Sequence, residues 1–237
     1  MEEKVSGIVL NAISYGENDK ILNVFTLEKG LISAKIKGVK KAGAKLKFAS
    51  QPFCFAEFVL RKGNAGFAVI GASLIESFYP IREDVFRYYA GASVLEFIKK
   101  FYKENIVSKS AFVSTIDALK EIAFKENYIA SLVKYFITSL AQTGYALNLQ
   151  GCLACKKNQA QRMYFDYFNG AFYCQDCFAG EGREINPDTF VALKKAIEGE
   201  QINKEQSLRA LRLIDYYLQN KTEENIKSLQ ELLKMLV

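Results

Sequence analysis

Along the first 80 residues the apolar positions fall in short runs separated by polar turns. Val5 to Ile13 is rich in apolar and β-branched residues, and Ile21 to Thr26 forms a second run closed by Glu28-Lys29-Gly30. From Leu31 to Val39, Ile32, Ala34 and Ile36 alternate with Ser33, Lys35 and Lys37, the two-residue period of a strand with one face in a core and one in water. Phe53 to Leu60 is apolar almost throughout, with Glu57 as its only charge, which predicts a strand covered on both faces. It ends at Gly63-Asn64-Ala65-Gly66, a hairpin signal, before a last strand from Phe67 to about Ile75. Five strands in about 75 residues, most of them without a helical repeat between, predict a small closed barrel, with an SH3-like barrel or a small sandwich as the competing arrangements.

The period changes at Pro80. From Arg82 onward Val85, Tyr88, Tyr89, Ala92, Leu95, Ile98, Phe101 and Tyr102 recur at three- and four-residue spacing, placing them on one side of a helix. Two more helices are predicted over Lys109 to Lys125 and Tyr128 to Gly144, the glycine acting as a stop. Beyond residue 180 the signal Asn186-Pro187-Asp188 opens another helical stretch. Its stripes are Phe190, Leu193 and Ile197; then Leu208, Leu211, Leu213, Tyr216, Tyr217 and Leu218; then Ile226, Leu229, Leu232 and Leu236. Such stripes predict the core of a helix bundle. The chain is therefore expected to be an α+β multidomain protein: a barrel over 1–79, a helical body over 80–150 that resumes over 181–237, and between them a cysteine-bearing module over 151–180.

Composition narrows the chemistry. Histidine and tryptophan are both absent, which removes Ser/His/Asp and Cys/His catalysis and every histidine metal ligand. Apolar runs stay well short of the 18 or so residues of a membrane span. The acidic opening Met1-Glu2-Glu3-Lys4 is unlike a secretory signal, so a cytoplasmic location is expected. Net charge is +6, from 32 basic and 26 acidic residues, an excess that permits a polyanionic partner without requiring one.

Four of the five cysteines, Cys152, Cys155, Cys174 and Cys177, form two Cys-x-x-Cys pairs separated by 18 residues. Each pair offers two thiolates from a tight turn, and two such turns complete a tetrahedral site. Between them, Tyr164-Phe165-Asp166 and Phe172-Tyr173 flank Asn169-Gly170, the pattern of an aromatic hairpin. A structural Zn²⁺ held by four cysteines, in a zinc ribbon, is the expectation. Neither pair has the strand-to-helix setting of a thioredoxin-like dithiol, and disulfides are disfavoured in a reducing cytosol. An iron–sulfur cluster also takes four cysteines and stays open at this point. Four protein thiolates leave no open coordination position, so the metal would be a staple that does not activate water. Cys54 lies in a strand pattern and is expected to be a buried apolar residue. Lys156, Lys157, Arg162 and Arg183 border the two pairs, either contacting nucleic acid or keeping the module soluble.

The densest charge run lies between Ala34 and Phe48. It contains Lys35, Lys37, Lys40, Lys41, Lys45 and Lys47 and no acidic residue, with Gly38 and Gly43 expected to make its middle flexible. A charge run is ordinarily a solvated face. This one sits where a strand leaves the predicted barrel, a place from which lysines can neutralise phosphates and release counterions, with a salt slope of about −0.7 per contact on single strands. Nucleic-acid contact by these six lysines is therefore expected. Exposed Phe or Tyr on neighbouring strands would add base stacking, but the pattern does not show which aromatics are exposed.

In its order of parts the chain resembles the bacterial RecO family. The resemblance is most specific in Gly7-Ile8-Val9-Leu10, Tyr15-Gly16-Glu17-Asn18-Asp19-Lys20-Ile21, Thr26-Leu27-Glu28-Lys29-Gly30-Leu31-Ile32-Ser33 and Lys37-Gly38-Val39-Lys40-Lys41, and continues in Lys45-Leu46 and Gln51-Pro52-Phe53. Ala44 departs from it, standing where the family usually has a serine. The resemblance implies that residues 1–79 are an OB-fold DNA-binding domain that binds single- and double-stranded DNA and promotes annealing of complementary strands. It further implies contacts with RecR and with the acidic tail of single-strand-binding protein, and assistance to RecA loading. Lys37, Lys40, Lys41 and Lys45 match the family's DNA-contact segment.

Three other functions compete with this one. A sequence-specific zinc-ribbon regulator would discriminate strongly among bases, and no convincing helix-turn-helix supports it. A phosphodiester-cleaving enzyme would need acidic pairs such as Glu83-Asp84 or Glu223-Glu224 to hold Mg²⁺, but both stand at predicted helix starts, where carboxylates commonly cap. A purely structural adaptor would bind no DNA. No Gly-x-x-x-x-Gly-Lys-Ser/Thr motif is present, so no nucleotide chemistry is expected and the protein is read as a non-enzyme.

Overall fold

The computed structural model describes residues 2–64 and 66–236. Its N-terminal part is a closed five-stranded barrel: β1 (Glu2–Tyr15), β2 (Asp19–Thr26), β3 (Gly30–Ile36), β4 (Phe55–Gly63) and β5 (Gly66–Glu76), joined in the order β1-β2-β3-β5-β4. Neighbours are antiparallel except β3 and β5, which run parallel. This is the OB arrangement, which excludes the sandwich and SH3-like alternatives. The hairpin predicted at residues 63–66 forms through the Gly63–Gly66 pair, although Ala65 lies outside the described residues.

Closure depends on β1. Its first half pairs with β4 and its second half with β2, and an irregularity between Val9 and Asn11 bends the strand between the two. Val5, Val9, Leu22, Val24, Ile32, Ala34, Ile36, Phe58, Leu60 and Val69 fill the interior. The outward row of β2 changes character along its length. Phe25 is buried under the helices, Asn23 lies at the margin, and Ile21 and Asp19 reach towards solvent.

The helices are α1 (Pro80–Glu83), α2 (Val85–Phe101), α3 (Lys109–Phe124), α4 (Tyr128–Gln142), α5 (Pro187–Glu198), α6 (Lys204–Tyr217) and α7 (Lys227–Met235), with a π turn at Leu218–Thr222. Caps set their starts, at Asp84 and Asn186 as the sequence suggests and at Asn203 as the structure adds. Asp84 accepts the Arg87 N–H at 2.8 Å, Asn186 caps α5 ahead of Pro187, and Asn203 with Gln206 makes a capping box for α6. Gly144, in a left-handed conformation, follows the end of α4. Helix α4 packs against α2, α3, α5 and α6, and α7 lies on α2.

The structure departs from several sequence expectations, beginning with β4, whose alternating half-buried and buried residues replace the strand covered on both faces. On α2 the core side is Ala90, Val94, Leu95, Phe97 and Ile98, while Val85 and Tyr88 are exposed. Ile197 is exposed too, its place in the core taken by Ala196. Glu223-Glu224 caps nothing: Glu224 pairs with Lys100, and α7 is capped from across the body by Glu96 of α2, whose two oxygens accept the N–H groups of Lys227 and Ser228.

Barrel and helices share a core. Phe25 packs against Tyr102 and Phe112, Phe55 against Phe112, and Phe53 against Tyr88. The segment after α2 lies along β3, with the Asn105 N–H donated to the Leu31 carbonyl at 2.9 Å. Gly30 makes this approach possible. It holds φ +68, and a Cβ there would stand 2.1 Å from the Ile106 carbonyl oxygen.

Candidate nucleic-acid interface and metal centre

The chain leaves β3 at the buried Ile36 and crosses the end of the barrel before entering β4. The crossing is a succession of turns, stitched by N–H donation from Lys41 to Gly38, Ala44 to Lys41, Lys47 to Ala44 and Ala49 to Leu46. Val39 and Ala49 are buried with the barrel interior, and Leu46 and Phe48 pack partly against it. Apolar residues thus plug the barrel while Lys37, Lys40, Lys41, Lys45 and Lys47 stand outward, all exposed. The middle, expected to be flexible, is a hydrogen-bonded plug.

The plug is also fastened to the β1–β2 turn. The Lys40 N–H is donated to the Asn18 carbonyl at 3.0 Å, the Gly38 N–H to Asp19 Oδ1 at 2.8 Å, and the Lys40 ammonium reaches the Gly16 carbonyl at 3.4 Å. Lys35 differs from the other five lysines. Its ammonium lies 2.9 Å from Asp19 Oδ2 and 4.4 Å from the centre of the Tyr15 ring. The Gly38 N–H and then the Lys35 ammonium hold the Asp19 carboxyl below its ordinary range. Sequence reasoning does not single out Asp19 and Tyr15 as site residues; their signal is the tight turn Gly16-Glu17-Asn18, which places residues 15 and 19 opposite each other.

Charge is distributed unevenly over the barrel. Near the β1–β4 seam and the β2–β3 turn the cations are matched, Lys4 with Glu57 at 2.8 Å, Arg61 with Glu2 at 2.7 Å and Lys29 with Glu3 at 3.0 Å. Among the described residues Lys37, Lys40, Lys41, Lys45 and Lys47 make no ion pair. The plugged end is therefore an unopposed cluster of ammonium groups on a fixed backbone, suited to phosphate oxygens.

The cysteine module lies between α4 and α5. Strands β6 (Met163–Asp166), β7 (Ala171–Cys174) and β8 (Arg183–Ile185) form a sheet in the order β7-β6-β8, the predicted aromatic hairpin with a third strand added. Phe165 and Phe172 are buried against each other and pack on Tyr217 of α6 and Phe190 of α5 respectively. The module is consequently docked on the body rather than free. Most of its bordering cations are engaged, Lys157 with Asp176, Arg162 with Glu184 and Arg183 over the Tyr216 ring.

Cys152, Cys155, Cys174 and Cys177 place their sulfurs within 4.8 Å of one another, with Cys155 and Cys174 at 3.7 Å. Tetrahedral Zn–S bonds of about 2.3 Å require sulfurs about 3.8 Å apart, so the donor set fits a four-thiolate metal. Without a metal the thiols do not all ionise together. Burial raises the Cys152 pKa, but the surrounding backbone and thiol hydrogen bonds bring it down to about 6, whereas hydrogen bonding with Cys155 and Cys174 pushes Cys177 up to about 12. One charge sits easily in the cluster, and four require a cation among them. Cys54 is buried in the barrel, its thiol pushed up to about 11 by burial, as expected of an apolar residue.

An OB barrel with an unopposed basic end, joined to a helical body that carries four converging cysteines able to hold a metal, is the class these features define. Family models for the recombination protein O N terminal and C terminal match residues 1–78 and 82–230. The chain belongs to the recombination protein O (RecO) family. It is 31% identical over 179 residues to the DNA repair protein RecO of Acetivibrio thermocellus, covering 75% of this chain and 71% of that one. Identity is also 31% to the DNA repair protein RecO of Clostridium acetobutylicum, over 193 residues, 80% of this chain and 77% of that one. With the protein of the same name from Clostridium novyi it is 25% over 240 residues, 96% and 92% of the two chains. Among the described residues no helix is long and apolar enough to cross a membrane.

Proposed function

We propose that this protein is a non-enzymatic DNA repair protein that binds single- and double-stranded DNA without sequence preference, anneals complementary single strands and assists RecA loading in homologous recombination. Family membership supports the role, and the plugged end of the barrel carries it. Five lysines without acidic partners stand there on a hydrogen-bonded backbone, with Lys35 beside them. Annealing is opposed by repulsion between phosphate chains. A basic surface held rigid lowers that repulsion and leaves base edges free to pair. Lys37, Lys40, Lys41, Lys45 and Lys47 grip phosphates, and Lys35 contributes less because Asp19 already neutralises it.

Family membership also supports RecR and the acidic tail of single-strand-binding protein as partners, with RecA acting downstream and the work done in the cytoplasm at the nucleoid. Zn²⁺ is the metal proposed here, because tetrahedral Zn–S bonds of about 2.3 Å match sulfurs that lie this close together. Cys152, Cys155, Cys174 and Cys177 would hold it, and it supplies a fixed crosslink between the turn after α4 and the end of β7.

The test replaces Lys40, Lys41 and Lys45 together by Ala and follows DNA affinity against salt by fluorescence anisotropy. The slope of log affinity on log salt is expected to flatten by about 0.7 for each lysine engaged on a single strand. An unchanged slope would sink the assignment.

A further inference from the structure

Among the described residues Tyr15 is the exposed aromatic of the barrel strands. It is 51% exposed at the end of β1, whereas Phe25 and Phe58 are buried and Phe55 and Phe67 are partly buried. An aromatic ring left in water at a strand end is commonplace by itself. This one has three further properties.

It adjoins the basic plug, because the next residue, Gly16, accepts the Lys40 ammonium through its carbonyl. It carries a cation, the Lys35 ammonium at 4.4 Å from the ring centre, while Asp19, paired across from it, is occupied by Lys35 and by the Gly38 N–H. Its flank is apolar, since Ile13 on the same face is 55% exposed and pairs with Ile21 of β2. With Lys35 over one face of the ring, the exposed remainder of the ring, the apolar shelf and the Lys40 ammonium match the parts of one nucleotide: a flat base, a sugar and a phosphate.

We propose that Tyr15 is a stacking platform for an unpaired nucleobase of single-stranded DNA, whose phosphates run onto the lysine plug. This rests on the reading of the plug as a DNA-binding surface and adds strand selectivity to it. Bases in a duplex are already stacked on their neighbours and offer no free face to the ring, so Tyr15 favours single strands, whereas the lysines serve both forms. The shelf also suits annealing, because a base held by its face keeps its pairing edge open.

The experiment compares the protein with its Tyr15→Leu and Tyr15→Phe variants by anisotropy, using a single-stranded oligonucleotide and its duplex at several salt concentrations. Tyr15→Leu is expected to weaken single-strand binding about tenfold, leave duplex binding unchanged and keep the salt slope, since no phosphate contact is lost. Tyr15→Phe retains the ring and is expected to bind both forms as the parent does. Unchanged single-strand binding in Tyr15→Leu, or an equal fall for both forms, overturns the platform while the lysine plug stands. If the parent protein binds neither form, the plug reading fails and the platform falls with it.

Discussion

Asp19 accepts the backbone N–H of Gly38 through Oδ1 at 2.8 Å, so the first residue of β2 anchors the base of the lysine plug. Its second oxygen takes the Lys35 ammonium, and one carboxylate thereby orients the loop and removes a charge from the cluster. Both partners lower its pKa from the ordinary 3.8, the Gly38 N–H more than Lys35. A depressed pKa means that the stabilisation is present above the unfolded value and is lost as the pH falls through the folded one. The anchor should therefore persist from neutral pH to below 3.8. An NMR titration following the Asp19 carboxyl and the Gly38 amide should show one shared midpoint below that value, moving up in Lys35→Met. A midpoint at or above it would mean that the anchor is absent in solution.

The six lysines should not contribute equally. Lys35 is neutralised by Asp19, whereas Lys45 makes no ion pair among the described residues. In single-residue replacements, Lys45→Ala is expected to flatten the salt slope by about 0.7 and Lys35→Ala by much less. Equal effects would show that DNA pulls Lys35 away from Asp19.

The barrel and the helical body meet where Gly30 touches Ile106. Gly30→Ala would force a Cβ to 2.1 Å from a backbone oxygen at a φ of +68. A loss of about 2 kcal/mol or more is expected in urea unfolding, from strain and displaced packing combined. A midpoint like that of the parent chain would show that the junction yields easily.

Metal removal should be felt as instability. A strong chelator, or Cys174→Ser, is expected to lower the thermal midpoint and release one zinc per chain, because metal binding is coupled to folding of the module. Phe172→Ala should cost about 3–5 kcal/mol without touching a ligand, since its buried ring joins Phe165 to Phe190. If metal is absent from the purified protein and stability is unaffected by the chelator, the staple is refuted.

Much of the fold and of the site is legible in the order of residues alone. Two-residue alternation in Ile32, Ala34 and Ile36 marks a strand with its lysines outward, and their burial follows that pattern. Cys-x-x-Cys spacing predicts a site whose sulfurs do converge. Where expectation and fold part, long-range packing is responsible. Val85 and Tyr88 fit the helical period of α2 yet stay exposed, Tyr88 meeting the core only at the Phe53 ring, and the carboxylate that caps α7 belongs to Glu96, 131 residues before Lys227.

Local order is what the sequence determined by itself: strands and helices follow from the spacing of apolar side chains, and the thiol tetrad from two short turns. Tertiary structure alone decided which charges are matched and which rings remain wet. The parallel pairing of β3 with β5 and the Asp19–Gly38 bond bring distant segments together, and both the pairing of a charge and the covering of a ring depend on what arrives beside them. That is why Lys35 is quenched and Lys45 is not, and why Phe25 is core while Tyr15 is surface.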